Sequence, residues 1–165
     1  MTEERFTHLN EAGEVQMVDV GGKDVTRRVA VAEGVVVMPP ELVARFFDGD
    51  LPKGDAAAVA RVAGIIGAKR TADLIPLCHP IPIDSVEISL QPGRHGVEIT
   101  ATVSTTGQTG VEMEAMTAVS TAALTVYDMV KGLERGVTIE SVRLRKKEGG
   151  RTGTWERPEV PSEGR

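Results

Sequence analysis

The chain has 165 residues, 41% of them hydrophobic and 26% charged, with a formal net charge of −5 at pH 7. That length fits one domain burying roughly two-thirds of the surface its unfolded chain would expose. The acidic balance and an aromatic content of only 3% exclude a general nucleic-acid binder, which needs cations for phosphates and rings on which bases stack.

One cysteine, Cys78, leaves no intrachain disulfide and no zinc or iron–sulfur site built on several thiolates. Residues 1–10 are polar and charged, without the apolar core of a signal peptide. No apolar run approaches the ~20 residues of a membrane span. A cytoplasmic protein with no membrane and no nucleic-acid partner is therefore expected.

In chain order, residues 1–27 read as an extended polar arm, with residues 1–15 flexible. Arg28–Met38 is valine-rich and predicts a strand. Pro39-Pro40 opens a short helix to about Phe47, followed by the turn Asp48–Pro52. Asp55 reads as an N-cap, and Val59, Val62, Ala63 and Ile66 recur at helical spacing in a helix expected to reach Leu74. Leu77–Pro82 contains two prolines and cannot be helical.

Ser85–Leu90 and Val97–Val103 alternate as strands around a hairpin at 91–96. A long helix follows at about Gly110–Gly132, then a strand over Thr138–Arg145 and a fraying tail from Glu148, with 150–165 flexible. Strand, helix, helix, strand, strand, helix, strand resembles a split β-α-β unit. The fold expected is α+β and ferredoxin-like: a single domain with an antiparallel sheet and helices packed on one face.

The long helix carries polar residues in an unusual pattern. With Glu114 at zero on a wheel of about 100° per residue, Thr121, Thr125 and Asp128 fall within about 40°, Thr117 lies about 60° away, and Lys131 about 60° beyond Asp128. A solvated face is the plain reading of such a stripe, but solvated faces are dense in Lys and Glu, and threonine is a poor helix former. Glu114 and Asp128 stand about 21 Å apart along the axis, so they share a face without meeting. If both serve one small site, two subunits must build it, with the helix antiparallel to its twofold mate. Asp128 and Lys131 are placed to pair as an acid/base couple.

Leu77-Cys78-His79-Pro80 sets one histidine between residues of a rigid, apolar segment. It reads either as a packed imidazole or as a proton-transfer group aimed into a pocket. Cys78 is a small lining residue or, less simply, a nucleophile. The scattered His8, His79 and His95 give no metal-ligand spacing. Lys53, Lys69, Arg70, Lys146 and Lys147 are candidates for an anion pocket, and Lys147–Arg151 reads as a flexible basic loop. Neither GxxxxGK[ST] nor GxGxxG occurs, so a phosphate site would be neither a P-loop nor a dinucleotide fold.

Five stretches together resemble the cyclic pyranopterin monophosphate synthase family, the C protein of molybdenum-cofactor biosynthesis. They are MVDVGGK at 17–23, KGD at 53–55, AKRTADLIPLCHP at 68–80, TGVEMEA at 109–115 and YDMVK at 127–131. The resemblance implies conversion of a cyclic dihydro-GTP intermediate, supplied by a radical enzyme, into the pyranopterin with closure of a cyclic phosphate and release of diphosphate. It implies a homo-hexamer, a trimer of dimers with shared active sites.

By the same resemblance Asp128 and Lys131 are the central acid/base residues. Lys53, His79, Glu112, Glu114 and Lys147 line the pocket, Leu77, Cys78 and Met113 contact substrate, and Asp19, Arg28 and Lys69 lie near. No cofactor is required, though Mg2+ could accompany the triphosphate. The rival reading is a non-catalytic nucleotide-binding regulatory module with the same fold.

Overall fold

The structure, a computed structural model, describes residues 12–158; the expectations placed on 1–11 and 159–165 lie outside the described residues. The valine-rich segment forms β1 (Thr26–Val37), which buries Ala30, Ala32 and Val36 on one face. The predicted hairpin is β2 (Ser85–Pro92) and β3 (Gly96–Gly107), longer at its open end than the alternation suggested. β3 lies beside β1 with Val97, Ile99, Ala101 and Val103 opposite Val36, Gly34, Ala32 and Ala30. These eight positions therefore share one face, and Ile88 and Leu90 of β2 extend it.

β4 (Thr138–Glu148) pairs with the other edge of β1, giving the antiparallel order β2-β3-β1-β4. That is the ferredoxin-like order, with α1 (Pro40–Asp48), α2 (Ala56–Lys69) and α3 (Thr71–Leu74) between β1 and β2, and α4 (Glu112–Val130) between β3 and β4. A fifth strand, β5 (Trp155–Glu156), pairs with Lys146 and Lys147 of β4. The tail is thus tied down at these two residues, where fraying was expected. Two residues are too few to leave an alternation in the sequence.

Two expectations about α2 differ from the structure. The helix stops at Lys69 rather than running to Leu74, because Arg70 leaves helical geometry at φ −108°, ψ 10°. The buried Thr71 hydroxyl donates to Ala68 O at 2.9 Å and to Gly67 O at 3.4 Å, so a side chain takes carbonyls that a continuing helix would use. The side facing the body is also not the valine stripe. Ala56, Ala60, Gly64, Gly67 and Ala68 are buried, while Val59, Val62 and Ile66 remain 46–55% exposed.

The reason is how closely α2 lies on α4. A Cβ on Gly64 would stand 3.1 Å from Ala118 O, and one on Gly67 would overlap the Thr121 hydroxyl. Only small residues fit that seam. Thr117 and Thr121, read from sequence as part of one continuous polar face, are therefore covered by α2 at the middle of the helix. α4 itself packs across the sheet, with Val119, Ala122, Ala123 and Val126 fully buried.

Candidate functional site

At the C-terminal end of α4 the Asp128 carboxylate holds two ammonium groups. Lys131 Nζ lies 2.8 Å from Oδ1 and Lys53 Nζ 2.7 Å from Oδ2. Lys53 also donates to the Asp128 carbonyl at 2.6 Å, one of the carbonyls a helix end leaves unpaired, where a cation is favoured. It comes from the turn before α2, closed by Gly54 N–H to Leu51 O at 3.0 Å and by Gly54 at φ 85°. Hydrogen bonds from Lys131 and then Lys53 pull the Asp128 carboxyl down to about 2, and the bond to Asp128 raises Lys131. In this arrangement Asp128 is ionised and Lys131 charged at neutral pH. Lys131 is a proton donor, and it turns into a base only when its surroundings bury it or remove its partner.

At the other end of α4 three cavities of about 420, 400 and 420 Å3 follow one another. Arg28, Lys147, Glu112, Lys23 and Arg151 line the first. Lys69, His79 and Glu114 line the second. The third joins them, sharing Lys23, Glu112 and Arg151 with the first and His79 and Glu114 with the second. Asp19, Leu77, Cys78 and Met113 also face the third.

The first cavity sets four cations beside three carboxylate residues, Asp24, Glu112 and Glu148, of which Glu148 is paired with Lys146. Lys23, Arg28, Lys147 and Arg151 form no ion pair among the described residues. Arg28 is aimed by Nε–H to Gly107 O at 2.9 Å and lies against Gly150, where a Cβ would overlap its guanidinium. Lys147 Nζ donates to the Thr152 hydroxyl and, at 3.4 Å, to Gly149 O.

Lys147 reaches this cavity through a bulge. The β1–β4 register slips between Val31 and Ala32, so that Lys147 stands opposite Ala30 and Lys146 opposite Val31. Without the slip Lys147 would pair with Val29 and point to the other face of the sheet, since side chains alternate with a period of two.

The second and third cavities bring together groups that exchange protons. Glu114, 4% exposed in the first turn of α4, is raised to about 6. Burial is the main cause; the hydrogen bond from its own backbone N–H opposes it, and the Glu112 charge adds to it. Burial, then the Glu114 charge, also raises Cys78, which favours the protonated thiol. The segment carrying His79 is fixed by Cys78 N–H to Ile75 O at 3.0 Å and by the Thr105 hydroxyl to Pro82 O.

Of the residues expected from sequence, Arg70 and Lys146 line none of these cavities and pair with Asp73 and Glu148 instead. Those that the family resemblance placed at the site lie in one of two groups. Lys53, Asp128 and Lys131 form one, and Asp19, Arg28, Lys69, Leu77, Cys78, His79, Glu112, Met113, Glu114 and Lys147 the other. None of the first group lines the three cavities. Lys23 and Arg151 stand among the second group although sequence did not single them out as site residues. Lys23 closes the MVDVGGK stretch, and Arg151 lay within the basic loop. Among the described residues no three His, Cys, Asp or Glu side chains gather as metal ligands would, and no helix is long and apolar enough to cross a membrane.

The fold and these groups define a ferredoxin-like protein with a cation-lined trough that runs on to a histidine and a buried carboxylic acid. Residues 17–150 match the model of the MoaC family, and the chain belongs to that family. It is similar to proteins named cyclic pyranopterin monophosphate synthase. That of Streptomyces coelicolor is 56% identical over 155 residues, covering 94% of this chain and 91% of that protein. That of Chloroflexus aurantiacus is 58% identical, covering 93% and 95%, and that of Cereibacter sphaeroides 58%, covering 92% and 96%.

Proposed function

We propose that this chain is a cyclic pyranopterin monophosphate synthase, a phosphorus–oxygen lyase of molybdenum-cofactor biosynthesis. It converts 3',8-cyclo-7,8-dihydro-GTP to cyclic pyranopterin monophosphate and diphosphate. The trough carries this reading: a cavity lined by four cations that form no ion pair among the described residues continues into one holding His79 and the protonatable Glu114. The relatives' shared name agrees with it.

The chemistry divides along the same line. Opening and reclosing the purine-derived ring moves protons without net redox change, which suits Glu114, His79 and the Asp128–Lys131 couple. Closing the cyclic phosphate sets a substrate hydroxyl on the α-phosphorus while diphosphate leaves. Arg28 and Lys147, with Lys23 and Arg151, stabilise the charge that develops on the leaving group. No cofactor is required in this reading; an Mg2+ ion accompanying the triphosphate would be held by the phosphate oxygens themselves and would offset part of their charge.

The two groups of residues stand too far apart in one chain to serve one nucleotide. The working unit is therefore an oligomer, a hexamer built as a trimer of dimers, in which the Lys53–Asp128–Lys131 cluster of one subunit completes the trough of another. The exposed Val59, Val62 and Ile66 stripe on α2 and Leu124 on α4, 61% exposed, support a self-associating chain. A radical enzyme supplies the substrate, and the setting is cytoplasmic.

The test is Lys131→Ala assayed for diphosphate release and for substrate binding. Retained binding with turnover reduced at least a hundredfold is expected of an acid/base residue. Unchanged turnover refutes the assignment and favours the nucleotide-binding module.

A further inference from the structure

Gln108 follows the last residue of β3 and spends both hydrogens of its amide on one target. Its Nε2 donates to Gly21 O and to Lys23 O, each at 3.0 Å. These carbonyls belong to a tight turn, closed by Lys23 N–H to Val20 O at 3.0 Å and by Gly21 N–H to Asp19 Oδ1 at 2.8 Å. Among the described residues, the two bonds from Gln108 are the hydrogen bonds that join residues 17–24 to the body of the fold. Apolar anchorage is partial: Val18 and Val20 are half-buried at the third cavity, while Met17 is 49% exposed and no residue of 17–24 belongs to the buried core.

This turn forms part of the trough wall. Asp19, Val20 and Lys23 face the third cavity, and Gly22 and Lys23 the first. A lysine carries its charge on a flexible four-carbon stem, so its ammonium is placed only as well as the backbone beneath it. We propose that Gln108 is a positioning residue, which seats Lys23 where the anion cavity opens into the cavity of Glu114 and His79. Lys23 there meets the phosphate chain of the substrate. This rests on the function proposed above.

The geometry separates Gln108 from residues that only stabilise. It lies outside the buried core, and its bonds go to a segment that contributes no residue to that core. Losing both bonds removes the hydrogen bonds from the body of the fold to this turn, so the turn should leave the wall. Gln108→Glu removes both donors and turns a carboxylate toward two carbonyl oxygens, so it should act at least as strongly as Gln108→Ala.

The experiment compares wild type, Gln108→Ala, Gln108→Glu, Lys23→Ala and the Gln108→Ala/Lys23→Ala double variant. Affinity for inorganic diphosphate, KM and kcat for diphosphate release, and hydrogen exchange at 18–24 are measured on each. Gln108→Ala should weaken diphosphate binding and raise KM by about tenfold with a smaller change in kcat. It should speed exchange at 19–23 and leave the β3 amides unchanged. In the Lys23→Ala background it should add nothing, because both changes remove one contact.

Effects that multiply in the double variant, or exchange in the turn that does not change, overturn the positioning role. A wild-type chain that fails to bind diphosphate overturns the ligand assigned to Lys23. A wild-type chain that binds diphosphate but releases none from the cyclised nucleotide sinks the proposed function instead. The exchange and binding measurements still judge Gln108 in that case.

Discussion

Replacing Glu114 by glutamine should stabilise the protein at high pH while disabling it. The Glu114 carboxyl is 4% exposed and raised from an ordinary 4.5 to about 6, mainly because burial disfavours its charge. The folded state therefore prefers the protonated acid. That preference is fully present below pH 4.5 and is lost as the pH rises through about 6, where keeping the fold means burying a carboxylate. At 1.36 kcal/mol per tenfold in proton affinity, the difference is about 2 kcal/mol.

Glutamine keeps the shape and the acceptor for the backbone N–H but cannot ionise. Glu114→Gln should thus match wild type near pH 4 and exceed it at pH 8 by up to about 2 kcal/mol, or about 4–8 °C in Tm for a chain of this length. Thermal unfolding of both proteins between pH 4 and 8 gives the two curves. Parallel curves, or a variant less stable at pH 8, would refute the claim that burial dominates at this site. Diphosphate release should fall in the variant, and the pH limb near 6 expected of wild type should be lost.

Asp128→Asn should lower Lys131 toward its ordinary value of 10.5 and free Lys53 from the end of α4, measurable by NMR titration of the lysine side chains. A Lys131 titration that does not move would show that its charge is set elsewhere. Gly67→Ala puts a Cβ into the Thr121 side chain and should destabilise by about 1–3 kcal/mol, more than the helix propensity of alanine returns. Adding Thr121→Ala should recover only part of that loss in a thermal melt, since it removes the hydroxyl but leaves the Cβ of residue 121 at 2.8 Å from the new methyl. A Gly67→Ala protein as stable as wild type would mean that the α2–α4 seam is looser than it stands in the structure.

Burial and charge placement were unevenly legible in the sequence. Local signals sufficed where one periodicity decided the outcome. The alternating runs gave β1 to β4, the prolines kept 77–82 out of a helix, and Asp55 caps α2 by accepting from Ala58 N–H at 2.9 Å. The motifs named Asp128, Lys131, His79 and Glu114 before any fold was known, because their residue types and spacing are rare together.

What needed the tertiary structure was which face of each element has a neighbour. Val59, Val62 and Ile66 make α2 look as if it buries valine. Yet the close approach of α4 admits only Gly64, Gly67 and the alanines, and that choice depends on a helix about fifty residues away. The same seam covers Thr117 and Thr121, dividing a stripe that the wheel drew as continuous. A one-residue slip in the β1–β4 ladder turns Lys147 to the face of Arg28, and a side chain beyond β3 holds Lys23 over the trough. Neither leaves a mark on local composition, since both are contacts between segments far apart in the chain. The sequence by itself determined which side chains could do acid/base and phosphate chemistry. Helix geometry alone already set Glu114 and Asp128 about 21 Å apart. The fold decided which distant segments meet each end, bringing Lys53 to Asp128 and the segments of His79, Lys69 and Asp19 to the end of Glu114.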